Sequence, residues 1–133
     1  MPAGQEVVRG FLPEPVEKLR LRKSSLLRKG WEFERVYSRG NRLHGDGFTL
    51  ICEPNFSGHS RLGISVHRKI RGAVKRNRIK RIIRESFRLY REQYPQSMDI
   101  VFAVRPGFSL AHPRDIISVV ALLARRIANK YEG

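Results

Sequence analysis

The sequence contains few of the side chains on which redox, metal and covalent chemistry depend. Cys52 is the only cysteine, so no disulfide can form within the chain. Its apolar neighbours predict a buried side chain rather than a nucleophile. The four histidines are scattered, without a partner at zinc-site spacing, and no catalytic-serine or phosphate-loop motif is present. We therefore predict no catalytic residue in this chain and no metal site made of protein ligands alone.

Acidic residues and long apolar runs are also scarce. The chain has 12 Asp and Glu against 27 Lys and Arg, which gives a formal net charge of +15. Such a surplus is typical of a protein that binds a polyanion, and it does not separate RNA, DNA and an anionic membrane. The longest apolar run, residues 116–124, is short of a membrane span, and no apolar signal segment begins the sequence. We expect a cytoplasmic protein with no membrane partner.

The positive charge is concentrated in residues 71–91, RGAVKRNRIKRIIRESFRLYR. At about 100° per residue, apolar side chains such as Ile79, Ile83 and Phe87 fall on one side of a helix and basic side chains fall opposite. Glu85 is the only acid in this segment, so little within the helix neutralises the basic side. A basic face often serves only solubility, but the lack of balancing acids favours nucleic-acid binding.

The start of this helix is also basic, although the helix dipole favours acidic residues there. Arg71, Lys75 and Arg76 crowd the first turn, and Gly72 allows a ligand to approach the backbone closely. Free N–H groups at a helix start are a natural site for phosphate. We expect replacement of Arg76 and Arg78 together by alanine to weaken RNA binding with little loss of fold.

The N-terminal part of the chain divides into a tail and the beginning of a domain. Residues 1–25 show no sustained apolar period and are expected to form a flexible basic tail, whereas residues 26–133 form a single domain. A short amphipathic helix is predicted from residue 30 to residue 40. Its Phe33 and Tyr37 lie one turn apart, a spacing that suits a core and also the stacking of unpaired bases.

Three strands and a final helix are predicted in the rest of the domain. Residues 47–53 and 61–67 alternate between apolar and polar side chains, and we expect them to pair as a hairpin. Residues 99–105 are almost continuously apolar, which suits a central strand covered on both faces. The last helix is expected to begin near Pro113 and to pack on the sheet.

Residues 69–88, KIRGAVKRNRIKRIIRESFR, closely resemble the signature of the bacterial ribonuclease P protein subunit. The similarity centres on residues 76–78, RNR, and extends to residues 33–40, 61–66 and 99–106. It implies an α+β fold of order α-β-β-α-β-α, a two-layer domain in which helices pack on a small mixed sheet. It also implies a left-handed β-α-β crossover through the basic helix, opposite to the general handedness rule.

The resemblance also implies a function. Proteins of this family bind a catalytic RNA, and the resulting ribonucleoprotein hydrolyses precursor tRNA to release its 5′ leader. The implied partners are ribonuclease P RNA and the 5′ leader of precursor tRNA, with no obligate protein partner. The implied cofactor is Mg²⁺ bound mainly by the RNA, with no organic cofactor. Contacts with the catalytic RNA are implied at Arg68, Lys69, Arg71, Lys75, Arg76, Asn77, Arg78, Lys80, Arg81, Arg84 and Arg88. Contacts with the leader are implied at Phe33, Tyr37, Phe48, Ser65, His67 and Lys69.

Three features depart from the pattern that the resemblance implies. Arg71-Gly72 stands where a glycine more often comes first, Ile51 stands where we expect an aromatic residue facing the leader, and the tail is longer than usual. Two other functions also fit the basic helix, namely a structural RNA binder such as a ribosomal protein and a sequence-specific DNA-binding module. Stimulation of precursor cleavage tests the first alternative, and competition between RNA and duplex DNA at fixed salt tests the second.

Overall fold

The computed structural model describes residues 23–132, with side chains through Ile127. The helices are α1 (Gly30–Arg39), α2 (Ala73–Leu89) and α3 (Pro113–Glu132), and the strands are β1 (Asn41–Gly45), β2 (Phe48–Pro54), β3 (Arg61–Val66) and β4 (Met98–Val104). Short 3-10 helices lie at Lys23–Ser25 and Arg91–Gln93. The predicted α+β class is confirmed, with one strand more than predicted. The predicted tail lies outside the described residues, except for Lys23–Ser25.

The four strands form one sheet in the order β1-β2-β4-β3. β4 lies inside the sheet, antiparallel to β2 and parallel to β3, and its Ile100, Val101 and Phe102 are fully buried. The predicted central strand is therefore confirmed. The predicted hairpin of β2 and β3 is wrong, because β4 lies between them. A strand that is apolar on both faces is more stable inside a sheet than at its edge.

β1 is an additional edge strand that the apolar pattern does not mark. Leu43 is the only strongly apolar residue in its sequence NRLHG, so no alternation of apolar side chains is visible. The strand pairs antiparallel with β2 and places His44 opposite Thr49. A short and polar edge strand also discourages pairing of the sheet with another chain.

Helices cover both faces of the sheet. α2 and α3 pack on one face, where the buried Ile83 and Phe87 confirm the predicted apolar side of α2. α1 packs on the other face through Val36, which clusters with Ile51 and Val101. The basic side of α2 and both flanks of α1 are consequently left at the surface.

A buried ion-pair network fixes α1 to one end of the sheet. The fully buried Asp99 carboxylate accepts hydrogen bonds from Arg61 Nε at 2.9 Å and Nη2 at 2.8 Å. It also accepts hydrogen bonds from Arg35 Nη2 and Asn55 Nδ2, each at 2.9 Å. Burial alone would raise the pKa of Asp99, but these hydrogen bonds outweigh it and hold the pKa below its ordinary value. Arg61 Nη1 also donates to Glu32 Oε2 at 2.9 Å, which ties α1 to β3.

Candidate nucleic-acid interface

The loop between β3 and α2 presents the start of α2 to solvent. Gly72 precedes the helix with a φ of +96°, a conformation that residues with a side chain rarely adopt. The helical hydrogen bonds begin with Arg76 N donating to Gly72 O at 3.0 Å, and no side chain among the described residues caps the helix. The N–H groups of residues 73–75 therefore have no acceptor within the helix. Together with the helix dipole they form a positive pole that suits a phosphate.

Arg76 supports this loop from within α2. Its Nη1 donates to the carbonyl oxygens of His67 and Ile70 at 3.0 and 2.9 Å, and its Nη2 donates to that of Val66 at 3.1 Å. A guanidinium has five N–H donors, so most donors of Arg76 face the protein. Arg76 is half-buried whereas Arg78 is exposed. Replacing both by alanine should therefore cost stability through Arg76, contrary to the expectation of little loss of fold.

Cations of the loop and of α2 together form what we call the basic surface. Arg68, Lys69 and Arg71 lie with Gly72 and Arg76 around a shallow pocket at the helix start. Lys and Arg side chains that recur every three or four residues continue this surface along α2. The first turn of α2 contains no acidic residue. The basic surface consists of Arg68, Lys69, Arg71, Lys75, Arg78, Lys80, Arg81 and Arg84, with the exposed Asn77 among them.

Arg88 differs from the other predicted contacts with the catalytic RNA because its charge is paired within the helix. Its Nε and Nη2 donate to the Glu85 carboxylate at 2.7 and 2.9 Å, and its side chain is only 17% exposed. Along the helix axis it lies about 18 Å from Arg76, at a rise of about 1.5 Å per residue. The structure therefore does not bring Arg88 together with the pocket at the helix start.

The face of the sheet opposite α2 carries a second group of candidate residues, which lie beside α1. Phe33 and Tyr37 project from one flank of α1 and are half-buried. Thr49, Ala103 and Ser65 are neighbours on β2, β4 and β3 on this same face of the sheet, and Thr49 is 7% exposed. We call these five residues the sheet cleft. The arrangement places two aromatic rings beside a row of small and hydroxyl-bearing side chains.

Neighbouring residues hold the two aromatic rings of the sheet cleft. Phe33 packs so closely on Gly63 that a Cβ added to the glycine would lie 2.7 Å from the ring. The Arg42 guanidinium lies 5.9 Å from the centre of the Tyr37 ring, and its Nη2 donates to the Tyr37 carbonyl at 3.0 Å. Sequence reasoning missed both supports, because each depends on strand pairings that the pattern does not reveal.

His44, which pairs with Thr49, extends the sheet cleft towards the edge of the sheet. His44 Nδ1 and Thr49 Oγ1 lie 3.1 Å apart and share a hydrogen bond between β1 and β2. His44 is exposed, so its ring borders the cleft. The sequence carries no signal for this pair because it does not mark β1 as a strand.

Phe48 and Ile51 are core residues and do not belong to the sheet cleft. Phe48 is fully buried on the face covered by α2 and α3, and its ring stacks on Phe102 with centroids 4.8 Å apart. The prediction that Phe48 binds a leader is therefore wrong, since it points away from Phe33. Ile51 is 1% exposed beneath α1, so this isoleucine fills core space rather than cleft surface.

The remaining predicted leader contacts fall in two adjoining places. Phe33, Tyr37 and Ser65 lie in the sheet cleft, as described above. His67 and Lys69 are exposed in the loop that follows β3, where His67 Nδ1 accepts a hydrogen bond from Lys69 N at 3.1 Å. Because the loop begins where β3 ends, His67 lies between the sheet cleft and the basic surface, and Lys69 belongs to the basic surface.

The part of the chain that the structure describes contains no metal-binding cluster, no reactive thiolate and no membrane-spanning helix. There, no group of three or more His, Cys, Asp or Glu side chains is placed to hold a metal ion. Burial raises the pKa of Cys52 to about 12, so its thiol stays protonated near neutral pH. No helix among the described residues is long and apolar enough to cross a membrane.

Comparison with known proteins gives a consistent result over most of the chain. The family described as Ribonuclease P matches residues 21–128. A "Ribonuclease P protein component" from Desulfotalea psychrophila is 61% identical over 108 residues, which cover 81% of this chain and 90% of that protein. A protein of the same description from Syntrophus aciditrophicus is 38% identical over 108 residues, covering 81% of this chain and 91% of that protein.

Solved structures show the same fold. The RNase P protein from Thermotoga maritima is 32% identical with a TM-score of 0.66, and the match covers 80% of this chain and 97% of that one. The Staphylococcus aureus RNase P protein is 31% identical with a TM-score of 0.64, and the match covers 80% of this chain and 96% of that one. The family match over residues 21–128 includes the whole region that carries the basic surface and the sheet cleft.

Proposed function

Because this chain belongs to the family of ribonuclease P protein components, we propose that its basic surface binds the catalytic RNA of that ribonucleoprotein. The family's role, as the protein subunit of an endoribonuclease that processes tRNA 5′ ends, is the role of this chain. One observation carries the proposal. Within the described part of the chain, the start of α2 has no side-chain cap and no acidic residue in its first turn, and Arg68, Lys69 and Arg71 surround it.

The basic surface suits the backbone of a folded RNA. The free N–H groups at the start of α2 and the neighbouring Arg71 can bind one phosphate together. Farther along α2, Arg78 and Arg81 offer planar guanidinium groups that bind phosphate oxygens in pairs, and Asn77 offers an amide to a sugar or a base edge. Such contacts fix the position of the protein on the RNA and depend little on its sequence.

We also propose that the sheet cleft binds the single-stranded 5′ leader of precursor tRNA. Unpaired bases stack on aromatic rings with little sequence preference, and each stacked base contributes about 1–3 kcal/mol. Phe33 and Tyr37 provide the rings, and the Ser65 hydroxyl provides a hydrogen-bonding group beside them. A leader varies in sequence between precursors, so a site that relies on stacking suits this ligand.

Catalysis is proposed to rest on Mg²⁺ bound mainly by the RNA partner. When bound to the RNA, Mg²⁺ would supply the activation of water and the stabilisation of the leaving oxygen that phosphodiester hydrolysis needs, and RNA phosphates would provide its oxygen ligands. The residues of this chain would act by binding and positioning. Cations of the basic surface reduce repulsion between the phosphates of the two RNAs, so that less Mg²⁺ is needed to bring them together.

Leader release tests this proposal directly. The protein, a ribonuclease P RNA and a precursor tRNA are mixed at a Mg²⁺ concentration at which the RNA alone is nearly inactive, and each component is omitted in turn. We expect strong stimulation that requires both RNA and protein. Arg78→Ala should weaken binding of the catalytic RNA, whereas Tyr37→Ala should raise KM for the precursor without changing that binding. Cleavage by the purified protein without RNA would overturn the proposal.

A further inference from the structure

The flank of α1 that faces away from the sheet cleft carries a second set of aromatic and basic side chains. At about 100° per residue, Trp31, Arg35 and Arg39 lie on one flank of α1, and Phe33 and Tyr37 lie on the opposite flank. Trp31 is 57% exposed, and the Arg35 guanidinium lies 5.5 Å from the centre of its ring. This pair presents a broad flat surface that the proposed leader site does not use.

A groove extends from this flank to the loop between β2 and β3. It encloses about 590 Å³, within the range of about 300–1,000 Å³ that is usual for sites of small organic groups. Side chains from α1 and from the loop face each other across it. We call it the distal groove, and its lining includes Arg35, Arg39, Glu53, Asn55, Phe56 and His59.

Phe56 lies at the edge of the distal groove, where both its exposure and its backbone conformation are unfavourable for a phenylalanine. Its side chain is 92% exposed, and its backbone has a φ of +55°, a conformation that a bulky residue rarely adopts. The loop is nevertheless firmly held, because Asn55 Oδ1 accepts a hydrogen bond from Ser57 N and Asn55 Nδ2 donates to the buried Asp99, each at 2.9 Å. A rigid support thus presents a ring that has almost no packing within the described structure, which is a pattern typical of binding residues.

The polar groups of the distal groove complement a nucleotide. The Arg39 side chain is 70% exposed and its ion pair with Glu53 is long at 4.0 Å, so the guanidinium is accessible to a phosphate. Glu53 is 14% exposed, and its carboxylate can accept a hydrogen bond from the amino group of a base. Phe56 supplies a face on which a base can stack, and Trp31, beside the lining residue Arg35, supplies another next to the groove.

We propose that the distal groove binds unpaired nucleotides of the precursor leader beyond those held in the sheet cleft. The inference rests on the proposed function of the sheet cleft. Along β3, the cleft residue Ser65 and the groove residue Arg61 are four residues apart, which is about 13 Å at about 3.3 Å per residue. About four stacked nucleotides span this distance at about 3.4 Å each. The basic surface lies beyond the other end of β3, so the catalytic RNA is held away from this groove.

Leader length provides the test. Affinities of the reconstituted ribonucleoprotein are measured for precursors whose leaders are shortened one nucleotide at a time from the 5′ end. The variant is Phe56→Asn, because asparagine removes the ring and tolerates a positive φ. The matched control is Leu122→Asn, which replaces another exposed apolar side chain, 59% exposed, on α3. We expect Phe56→Asn to bind long-leader precursors about five- to tenfold more weakly and short-leader precursors as the unchanged protein does.

Trp31 provides a direct optical readout, since it is the only tryptophan in the chain. Base stacking nearby should quench its fluorescence when a long-leader precursor binds, and the quenching should be smaller with a short leader. An unchanged dependence on leader length in Phe56→Asn would overturn the inference. Weaker binding of the catalytic RNA by Phe56→Asn without any precursor would overturn it too, by identifying that RNA as the occupant.

The two proposals fail in different ways. Tyr37→Ala should weaken binding of both short-leader and long-leader precursors, because it changes the sheet cleft that both occupy. If Tyr37→Ala changed neither, the proposed role of the sheet cleft would be wrong, whatever Phe56→Asn did. If Tyr37→Ala behaved as expected and only the Phe56 result was negative, the distal groove alone would lose its assignment.

Discussion

The two arginines of the RNR run should respond differently to replacement by lysine. Arg76 donates to three carbonyl oxygens around the loop before α2, whereas Arg78 is exposed on the basic surface. Lysine keeps the positive charge but lacks the planar group that reaches several acceptors at once. We predict that Arg76→Lys destabilises the fold and loosens the loop, and that Arg78→Lys leaves the fold unchanged.

The size of this effect follows from the hydrogen bonds that Arg76 makes. Hydrogen bonds from a charged group contribute about 1.5–3 kcal/mol each, but water reaches this half-buried site and a lysine can retain one bond. We therefore expect a net loss of about 2 kcal/mol, which corresponds to a fall of about 8 °C in Tm at roughly 4 °C per kcal/mol. For Arg78→Lys, an exposed change, we expect less than about 0.5 kcal/mol, or about 2 °C.

Two measurements separate support of the loop from contact with RNA. Thermal unfolding gives the stability of each variant, and the slope of log K against log salt for binding of the catalytic RNA gives the number of phosphate contacts. Both lysine variants keep their charge, so neither should change the slope by as much as one, whereas Arg78→Ala should lower it by roughly one. A wild-type Tm for Arg76→Lys, or equal losses of Tm at the two positions, would refute the assigned role of Arg76.

Three further predictions concern the ion-pair network and the sheet cleft. Burial raises the pKa of Asp99, but its hydrogen bonds hold the pKa in the folded protein below the roughly 3.9 of an unfolded chain. The ionised Asp99 therefore stabilises the fold above about pH 3.9, and this stabilisation is lost as the pH falls through the pKa of the folded state. Asp99→Asn should therefore remove about 2–4 kcal/mol at neutral pH, and much less in strong acid, when unfolding in urea is measured across pH. Gly63→Ala should displace the ring of Phe33, cost about 1–3 kcal/mol of stability and weaken leader binding, and normal leader affinity would contradict that contact. Phe48→Ala should cost about 3–5 kcal/mol in the same unfolding assay, whereas Tyr37→Ala should cost little stability and instead lower the affinity for the leader in a titration.

The sequence was sufficient to predict the elements whose local residue pattern is compatible with only one kind of structure. The period of residues 71–91 defined α2, and its apolar side faces the core as expected. The continuous apolar run of β4 defined the centre of the sheet. The surplus of cations in α2 identified the basic surface, because charge that is not balanced locally is visible without knowledge of the fold.

Long-range pairings account for the features that the sequence did not predict. Alternation cannot tell which strand is a neighbour, so β2 and β3 were expected to form a hairpin that β4 in fact divides. The alternation of apolar and polar residues also does not show which face of β2 packs against which helix. For this reason Phe48 was predicted to face the leader, whereas it lies in the core beneath α2 and α3. Arg76 stabilises the loop by donating to backbone carbonyl oxygens that face it only once the loop has folded. Every residue has a carbonyl oxygen, so the sequence does not indicate which ones will accept these hydrogen bonds.

Site-specific cross-linking tests most directly the claim that two separate surfaces hold two different RNAs. Cys52 is buried and its pKa is raised to about 12, so a photoreactive group attaches selectively to a new exposed cysteine in Arg78→Cys or Tyr37→Cys. Each labelled protein is assembled with the catalytic RNA and a precursor tRNA, irradiated, and analysed for the linked RNA. The account predicts that position 78 links to the catalytic RNA and position 37 links to the leader. Links from both positions to the same RNA, or links in the reverse order, would contradict it.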